Sequence, residues 1–346
     1  MAENQIAHVR KVIETVFKQV IEKQKMSPSS LEKLTVRTPK SEAWGDLCSN
    51  ALLLLCGDDE TARQREARDF IKSLEALPFI DTVTLAQNGY LNMTVAMTEW
   101  AELFVDILDD YPAFIQSAVS TGLHDLQADI APRQNDLVCA RLTWNAEALE
   151  KLARQVGSSL TCREIAEPQQ RGFPTETAIA RCSEQGAKLA VLSNGVDFAV
   201  NFSPVLAADR SYDNPAFCLP YCIARIRSML EHASVKDEGS TLLADVSVTD
   251  FAFKTAIEQK LAKMIWHWPE MIEITLEKGE ILHLLSFLHE VSLLFFQLVE
   301  QMRPQSSEYL MEPGQGAMRC LLFRVIAKIV SEGLMLLEFD IAEEFI

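Results

Sequence analysis

From Asp213 to the C-terminus, apolar residues return every three or four positions with few interruptions. Such a chain can hide its apolar stripes only by packing helix on helix, so this stretch of about 140 residues is read as an all-α bundle. Asp213-Asn214-Pro215 opens it as a cap with proline at the first helical position, and Pro220 is expected to kink or restart that helix. Further helices are expected over about 248–265, 268–279, 280–302 and 317–337. Ile281 to Val299 is nearly long enough to span a membrane. It carries His283, His289, Glu290 and Gln297, which reads as a buried core helix and no membrane partner.

The N-terminal part has a different rhythm. An amphipathic helix is expected over 4–25, another from about Ser49 to Leu55, and a third capped by Thr61 and running to about Leu77. The period then changes to two: Val83 and Leu85, then Leu91, Met93 and Val95, flank a turn at Asn88-Gly89, the signature of a β-hairpin. A helix from Thr98 to Asp109 completes an α+β unit. Between these ends the signal weakens. Leu137–Leu142 and Leu189–Leu192 read as short strands, Asn145 as a helix cap, and Pro168-Gln169-Gln170 as a loop. The expected organisation is multi-domain α+β. An N-terminal domain over 1–110 has helices on a small antiparallel sheet, a short irregular middle segment covers 111–200, and an all-α bundle covers 201–346.

Chemistry is harder to find. Thirteen glycines in 346 residues leave little for phosphate-cradling loops, and Gly314-Gln315-Gly316 is followed by Arg319 where a third glycine would be needed. Six scattered histidines give no catalytic motif, and Cys218 and Cys222, one helical turn apart, read as two buried thiols. No cofactor is expected. With no leader-like start and no C-x-x-C pair, the chain is read as cytoplasmic. The net charge of −17 excludes a generally basic nucleic-acid coat, so any nucleic acid must be met by a local patch. Residues 18–40 form one such patch at +4, with Lys23, Lys25, Lys33 and Arg37 as candidate phosphate-backbone contacts. Arg225 with Arg227 forms another. On the hairpin, Asn88, Tyr90 and Asn92 place an aromatic between two amides, able to stack on and hydrogen-bond an unpaired base.

Two groups of residues carry a resemblance. Trp44-Gly45-Asp46-Leu47, Ser49-Asn50-Ala51 and Asn88-Gly89-Tyr90-Leu91-Asn92 resemble the N-terminal additional domain of arginyl-tRNA synthetases. Asp213-Asn214-Pro215-Ala216-Phe217, Tyr221 and Ala224-Arg225-Ile226-Arg227-Ser228 resemble the first helix of that family's DALR-type anticodon-binding domain. Trp268-Pro269-Glu270, Phe287-Leu288-His289-Glu290-Val291 and Gly333-Leu334-Met335-Leu336-Leu337 follow in its order. The resemblance implies that Tyr90 and Asn92 face the D-loop at the corner of a tRNA, and that Tyr221 stacks on anticodon bases. The partner is then tRNA, with arginine tRNA as the implied one.

The family's first anticodon tyrosine matches Cys218, a third aromatic matches Val299, and its terminal methionine matches Phe345 or Ile346. Each lost ring removes a stacking contact of roughly 1–3 kcal/mol. The family's His-x-Gly-His is absent, and only about 85 residues occupy the place of its class I catalytic domain, so adenylation of arginine is not expected. The reading is a non-catalytic synthetase-like protein with no catalytic residues. The competing readings are an assembly factor, bound to a synthetase or a tRNA-modifying protein, and a residual arginine–tRNA ligase. A charge of −9 over 205–346 favours the assembly factor among these competitors.

Overall fold

The computed structural model describes residues 12–19, 33–39, 44–119, 123, 125–132, 135–166, 172–195, 199–233, 253–302 and 306–339. The chain divides into two compact units, the first over Met1–Leu103 and the second over Phe104–Val246 and Phe253–Ile346.

In the first unit a four-stranded antiparallel sheet has the order β1-β2-β4-β3, with β1 Val36–Arg37, β2 Leu47–Ser49, β3 Ile80–Leu85 and β4 Leu91–Val95. The hairpin at Asn88-Gly89 joins β3 to β4 as its alternation predicts. Gly89 has φ +84, a backbone conformation that glycine adopts without strain. Gly45 is more tightly constrained: with φ +90, a Cβ would stand 2.6 Å from the Met93 carbonyl oxygen. That close approach lets the Asp46 amide bond the Met93 carbonyl while its buried carboxylate accepts from the Val95 amide, splicing the Trp-Gly-Asp segment onto β4.

Helices α1 (Ala51–Cys56) and α2 (Glu60–Glu75) follow β2, and Phe70 of α2 meets Phe17 of the helical residues 12–19 at 5.3 Å between ring centroids. Two expectations change here. Leu47–Ser49 is a strand, so α1 starts later than its apolar run suggests. The cap of α2 is Asp59, whose carboxylate accepts from the Ala62 amide, and Thr61 lies inside the helix. Helix α3 (Met97–Asp109) agrees with its pattern.

The second unit opens with α4 (Tyr111–Ala118) and then a parallel β–α–β crossover. Strands β5 (Leu126–Ile130) and β6 (Leu160–Glu164) pair in parallel register, and α5 (Leu137–Gln155) connects them. Helices α6 (Thr175–Cys182), α7 (Glu184–Leu192) and the short α8 (Pro204–Ala207) follow. Leu137–Leu142 and Leu189–Leu192 are therefore helical where strands are expected from their apolar runs. Both runs are buried on most sides of a helix, which erases the three-and-four pattern.

The bundle comprises α9 (Pro215–His232), α10 (Ala256–Trp266), α11 (Trp268–Lys278), α12 (Leu282–Gln301), α13 (Ser306–Met311) and α14 (Gly316–Leu336). Asn214 caps α9 by accepting from the Ala216 amide, and the helix continues through Pro220 instead of restarting. Helix α12 is apolar and long enough to cross a membrane by length and composition alone. In the fold it buries Leu284, Leu288, Val291, Phe295 and Leu298 against the bundle.

Asn145 is no cap. It lies mid-way along α5, buried, donating to the Gly279 carbonyl at 2.9 Å and accepting from the Ile281 amide at 2.8 Å. Its single amide thus satisfies both sides of the turn between α11 and α12. A second buried polar group sits at the start of α10. Thr255 and Glu258 form a capping box, and the Glu258 carboxylate also accepts from Arg319 at 2.7 Å and from the Tyr309 hydroxyl. Burial raises the Glu258 pKa, but the Tyr309, Thr255 and Arg319 hydrogen bonds outweigh it and hold the carboxyl below its ordinary range.

Two outcomes are expected. Asn145→Ala strands a carbonyl and an amide and should lower the stability of the second unit by about 2–4 kcal/mol in urea unfolding. Because the folded-state pKa of Glu258 is depressed, its contribution is complete above the ordinary carboxylate range and is lost as the pH falls through the folded value. The stability gap between wild type and Glu258→Gln, about 3–5 kcal/mol at neutral pH, should therefore narrow on acidification. Thermal unfolding at several pH values measures it.

Candidate nucleic-acid interface

In the first unit the register of the sheet aligns four residues in one row: Arg37 opposite Cys48, Cys48 opposite Asn92, and Asn92 opposite Thr84. Side chains two apart on a strand share a face, so Tyr90 and Asn92 look out on the same side as Arg37. Leu91, Met93 and Val95 point the other way into the core. Arg37, exposed, donates through Nη2 to the Tyr90 hydroxyl at 3.4 Å, and its guanidinium carbon lies 5.8 Å from the ring centroid. The Asn88 side chain is turned inward on its own loop, accepting from the Tyr90 amide at 3.3 Å, and shapes the turn more than it offers itself to a ligand. Lys33 is exposed three residues before β1. Lys23 and Lys25 lie outside the described residues.

Asn50 is a residue the pattern did not single out for a role. Its side-chain amide donates to the Lys33 carbonyl and its carbonyl accepts from the Thr35 amide, both at 2.9 Å.

In the second unit, α9 presents a stripe of residues spaced four apart: Phe217, Tyr221 and Arg225. All three are partly exposed. Tyr221 stacks on Phe217 at 5.0 Å between centroids with 17° between planes, and on Phe296 of α12 at 5.5 Å and 16°. Tyr212 stacks on Phe296 in turn, at 4.2 Å and 12°. The Tyr212 carbonyl is within 2.7 Å of His289 Nε2 on α12. Four near-parallel rings thus form one cluster, with Phe296 buried and the other three open at the surface.

This changes the account of lost aromatics. Cys218 is fully buried, its thiol pKa pushed up to about 12 by burial and by Asp213, so it offers no surface to a ligand. The ring beside Tyr221 comes from Phe217, one residue earlier. Val299 is buried in α12, and Phe296, one turn before it, joins the cluster instead. Arg227 stands on another side of α9, about 120° round from Tyr221, whereas Arg225 shares the side of Phe217 and Tyr221. The four-residue spacing of Phe217, Tyr221 and Arg225 was the readable signal. Tyr212 and Phe296 join only through packing.

The crossover helix α5 is the third place to test, because the start of a helix between parallel strands can hold a phosphate on its free amides. Here those amides are occupied. The Leu137 amide donates to the Phe173 carbonyl at 2.9 Å, and the Val138 and Cys139 amides donate to the Asp136 carboxylate at 2.9 and 3.1 Å. Gly172 closes over the same turn, where even a Cβ would come within 3.0 Å of the Val138 nitrogen.

Comparison with known proteins matches a stretch at each end of the chain. The family described as "Arginyl tRNA synthetase N terminal domain" matches residues 11–95, and the family described as "DALR anticodon binding domain" matches residues 219–345. The arginine–tRNA ligase of Pelagibacter ubique is 26% identical over 168 residues, 48% of this chain and 28% of that protein. That of Wolbachia pipientis subsp. Culex pipiens is 23% identical over 247 residues, 70% of this chain and 39% of that protein. The chain spans well under half the length of these relatives. The crystal structure of an arginyl-tRNA synthetase from Plasmodium falciparum shares the fold, with a TM-score of 0.66 at 9% identity, covering 97% of this chain and 98% of that chain. At both ends, and in this order, the chain resembles the arginyl-tRNA synthetases.

Proposed function

We propose that the chain binds tRNA without charging it: the sheet face of Tyr90 and Asn92 meets the tRNA corner, and the bundle meets the anticodon arm. The domains of this reading are 1–110 and 201–346, with 111–200 as a connector in place of a catalytic domain, and the compartment it implies is the cytoplasm. The observation that carries it is the stack of Phe217 on Tyr221 with Arg225 one turn further along α9. Two partly exposed rings, stacked on each other with a guanidinium one turn further on, suit an unpaired base and its phosphate. Asp213, exposed just before the helix, marks the Phe217 end as the wrong side for phosphate and Arg225 as the right one.

The non-catalytic part rests on α5. A carboxylate at the positive end of that helix, with the first amides already bonded, opposes a nucleotide phosphate there. The acidity of the bundle favours the assembly-factor reading, and the aromatic stripe with Arg225 is what sets tRNA ahead of it.

Retardation of total tRNA at low salt tests the binding. Phe217→Ala and Tyr221→Ala should each weaken it by about 1–3 kcal/mol. Arg225→Ala should weaken it and reduce the salt slope by about one, while Lys278→Ala, at the exposed end of α11, should leave it unchanged. Recovery of a stoichiometric protein and no RNA in a pull-down would favour the assembly factor instead. Arginine-dependent ATP–pyrophosphate exchange is expected at background.

A further inference from the structure

The position of Asn50 is that of a helix cap, directly before α1, and asparagine is among the residues that cap best. Its side chain makes no cap. Instead the amide spans to the segment ahead of β1, holding the Lys33 carbonyl and the Thr35 amide in two hydrogen bonds of 2.9 Å each. The segment so held is the weakest element of the sheet. Strand β1 has two residues, pairs with β2 through Val36–Ser49 and Arg37–Cys48 only, and lies at the sheet edge. Asn50 adds a backbone-like pair of bonds where the ladder has run out, lengthening β1 by proxy.

What β1 carries is Arg37. Its guanidinium donates to the Tyr90 hydroxyl and approaches the ring, so one contact sets both the reach of the cation and the direction of the phenol. A phenol oxygen that accepts a hydrogen bond keeps its own hydrogen for an outside acceptor, and the guanidinium keeps further donors for a phosphate. Lys33, whose carbonyl Asn50 holds, brings a second cation to the same lead-in.

We infer that Asn50 is a positioning residue for an RNA contact made by Arg37 and Tyr90: it holds β1 in register so that the guanidinium and the phenol present paired donors to a phosphate or base oxygen. The inference rests on the tRNA-binding reading above. It separates two roles in the motif Ser49-Asn50-Ala51, with Ala51 serving the core and Asn50 serving the surface.

The experiment compares wild type, Asn50→Ala, Asn50→Asp, Arg37→Ala and the Asn50→Ala/Arg37→Ala double variant. Total tRNA binding is measured across a salt series, and amide exchange of Thr35 is measured on the free proteins. Asn50→Ala and Arg37→Ala should each weaken binding by about tenfold and lower the salt slope by about one. The double variant should be within about twofold of either single one, because both remove the same contact. Asn50→Asp, which can accept from Thr35 but cannot donate to Lys33, should fall between Asn50→Ala and wild type. Thr35 should exchange slowly in wild type and fast in Asn50→Ala.

If wild type binds tRNA and Asn50→Ala binds equally well with the same salt slope, the positioning role is overturned and the function stands. Losses that multiply in the double variant overturn it too. If wild type itself fails to bind, both readings fall. A global folding defect in Asn50→Ala, seen as a lost far-ultraviolet dichroism signal, moves the decision to Asn50→Asp, which must then bind more weakly than wild type for the inference to hold.

Discussion

The amide of Asn145 holds the second unit together at its least regular point. An asparagine in the middle of a helix usually costs stability, because its side chain competes for the backbone. Here it is buried in α5 and reaches across to the turn between α11 and α12, bonding the Gly279 carbonyl and the Ile281 amide. That turn is tight: Gly279 sits at φ +68, and a Cβ there would lie 3.3 Å from the Gln127 carbonyl of β5. The β–α–β crossover and the bundle therefore share a buried polar contact here, besides the Lys151 bonds to the Leu336 carbonyl and to Glu338. The consequence runs up α12, whose first turn begins at this point. The same helix carries His289 against the Tyr212 carbonyl and Phe296 against the rings of Tyr212 and Tyr221. The ring cluster thus takes its buried member, Phe296, from the helix whose start Asn145 holds.

What the chain shows before folding depends on whether one side of each element meets water. The bundle helices and the β3–β4 hairpin have an inside and an outside, so their periods of three-and-four and of two are visible, and Asn88-Gly89 announces its turn. The crossover has neither property. All but one residue of β6 is exposed, so no alternation appears. Helix α5 begins with Leu137, Cys139, Ala140 and Arg141 buried together, which imitates a strand. Asn145 has the chemistry of a cap and is placed by an interaction 134 residues away in sequence, which no local pattern can reveal. The true cap, Asp136, stands in plain sight nine positions earlier.

The candidate surfaces divide in the same way. Tyr90, Asn92 and Arg37 are readable because strand alternation fixes which side they face. On α9, Tyr221 and Arg225 are brought together as their four-residue spacing requires, and Arg227 is turned away by the same geometry. A residue-by-residue resemblance placed the missing ring at Cys218, whereas the helix supplies it at Phe217, one full turn from Tyr221. Positions one apart on a helix differ by about 100° in direction. Two rings and a guanidinium remain in line.

The charge of −17 has to be weighed at the same scale. At physiological ionic strength exposed charges farther apart than about 8 Å are largely screened from one another. Of the −9 over 205–346 the six bundle helices carry only −1 and the rest lies in the segments around them, and some of the carboxylates are spent internally: Glu258 and Glu312 on Arg319, Glu332 on Lys328. What a phosphate near Arg225 feels is set by its immediate neighbours, among which Asp213 lies beyond the Phe217 end of the stripe. Net charge lowers the rate and the non-specific part of any encounter with RNA, because both depend on the long-range field. Stacking on Phe217 and Tyr221 depends on ring faces in contact, and screening does not touch it. An acidic protein of this kind should hold nucleic acid through a few shaped contacts and bind little where that shape is missing.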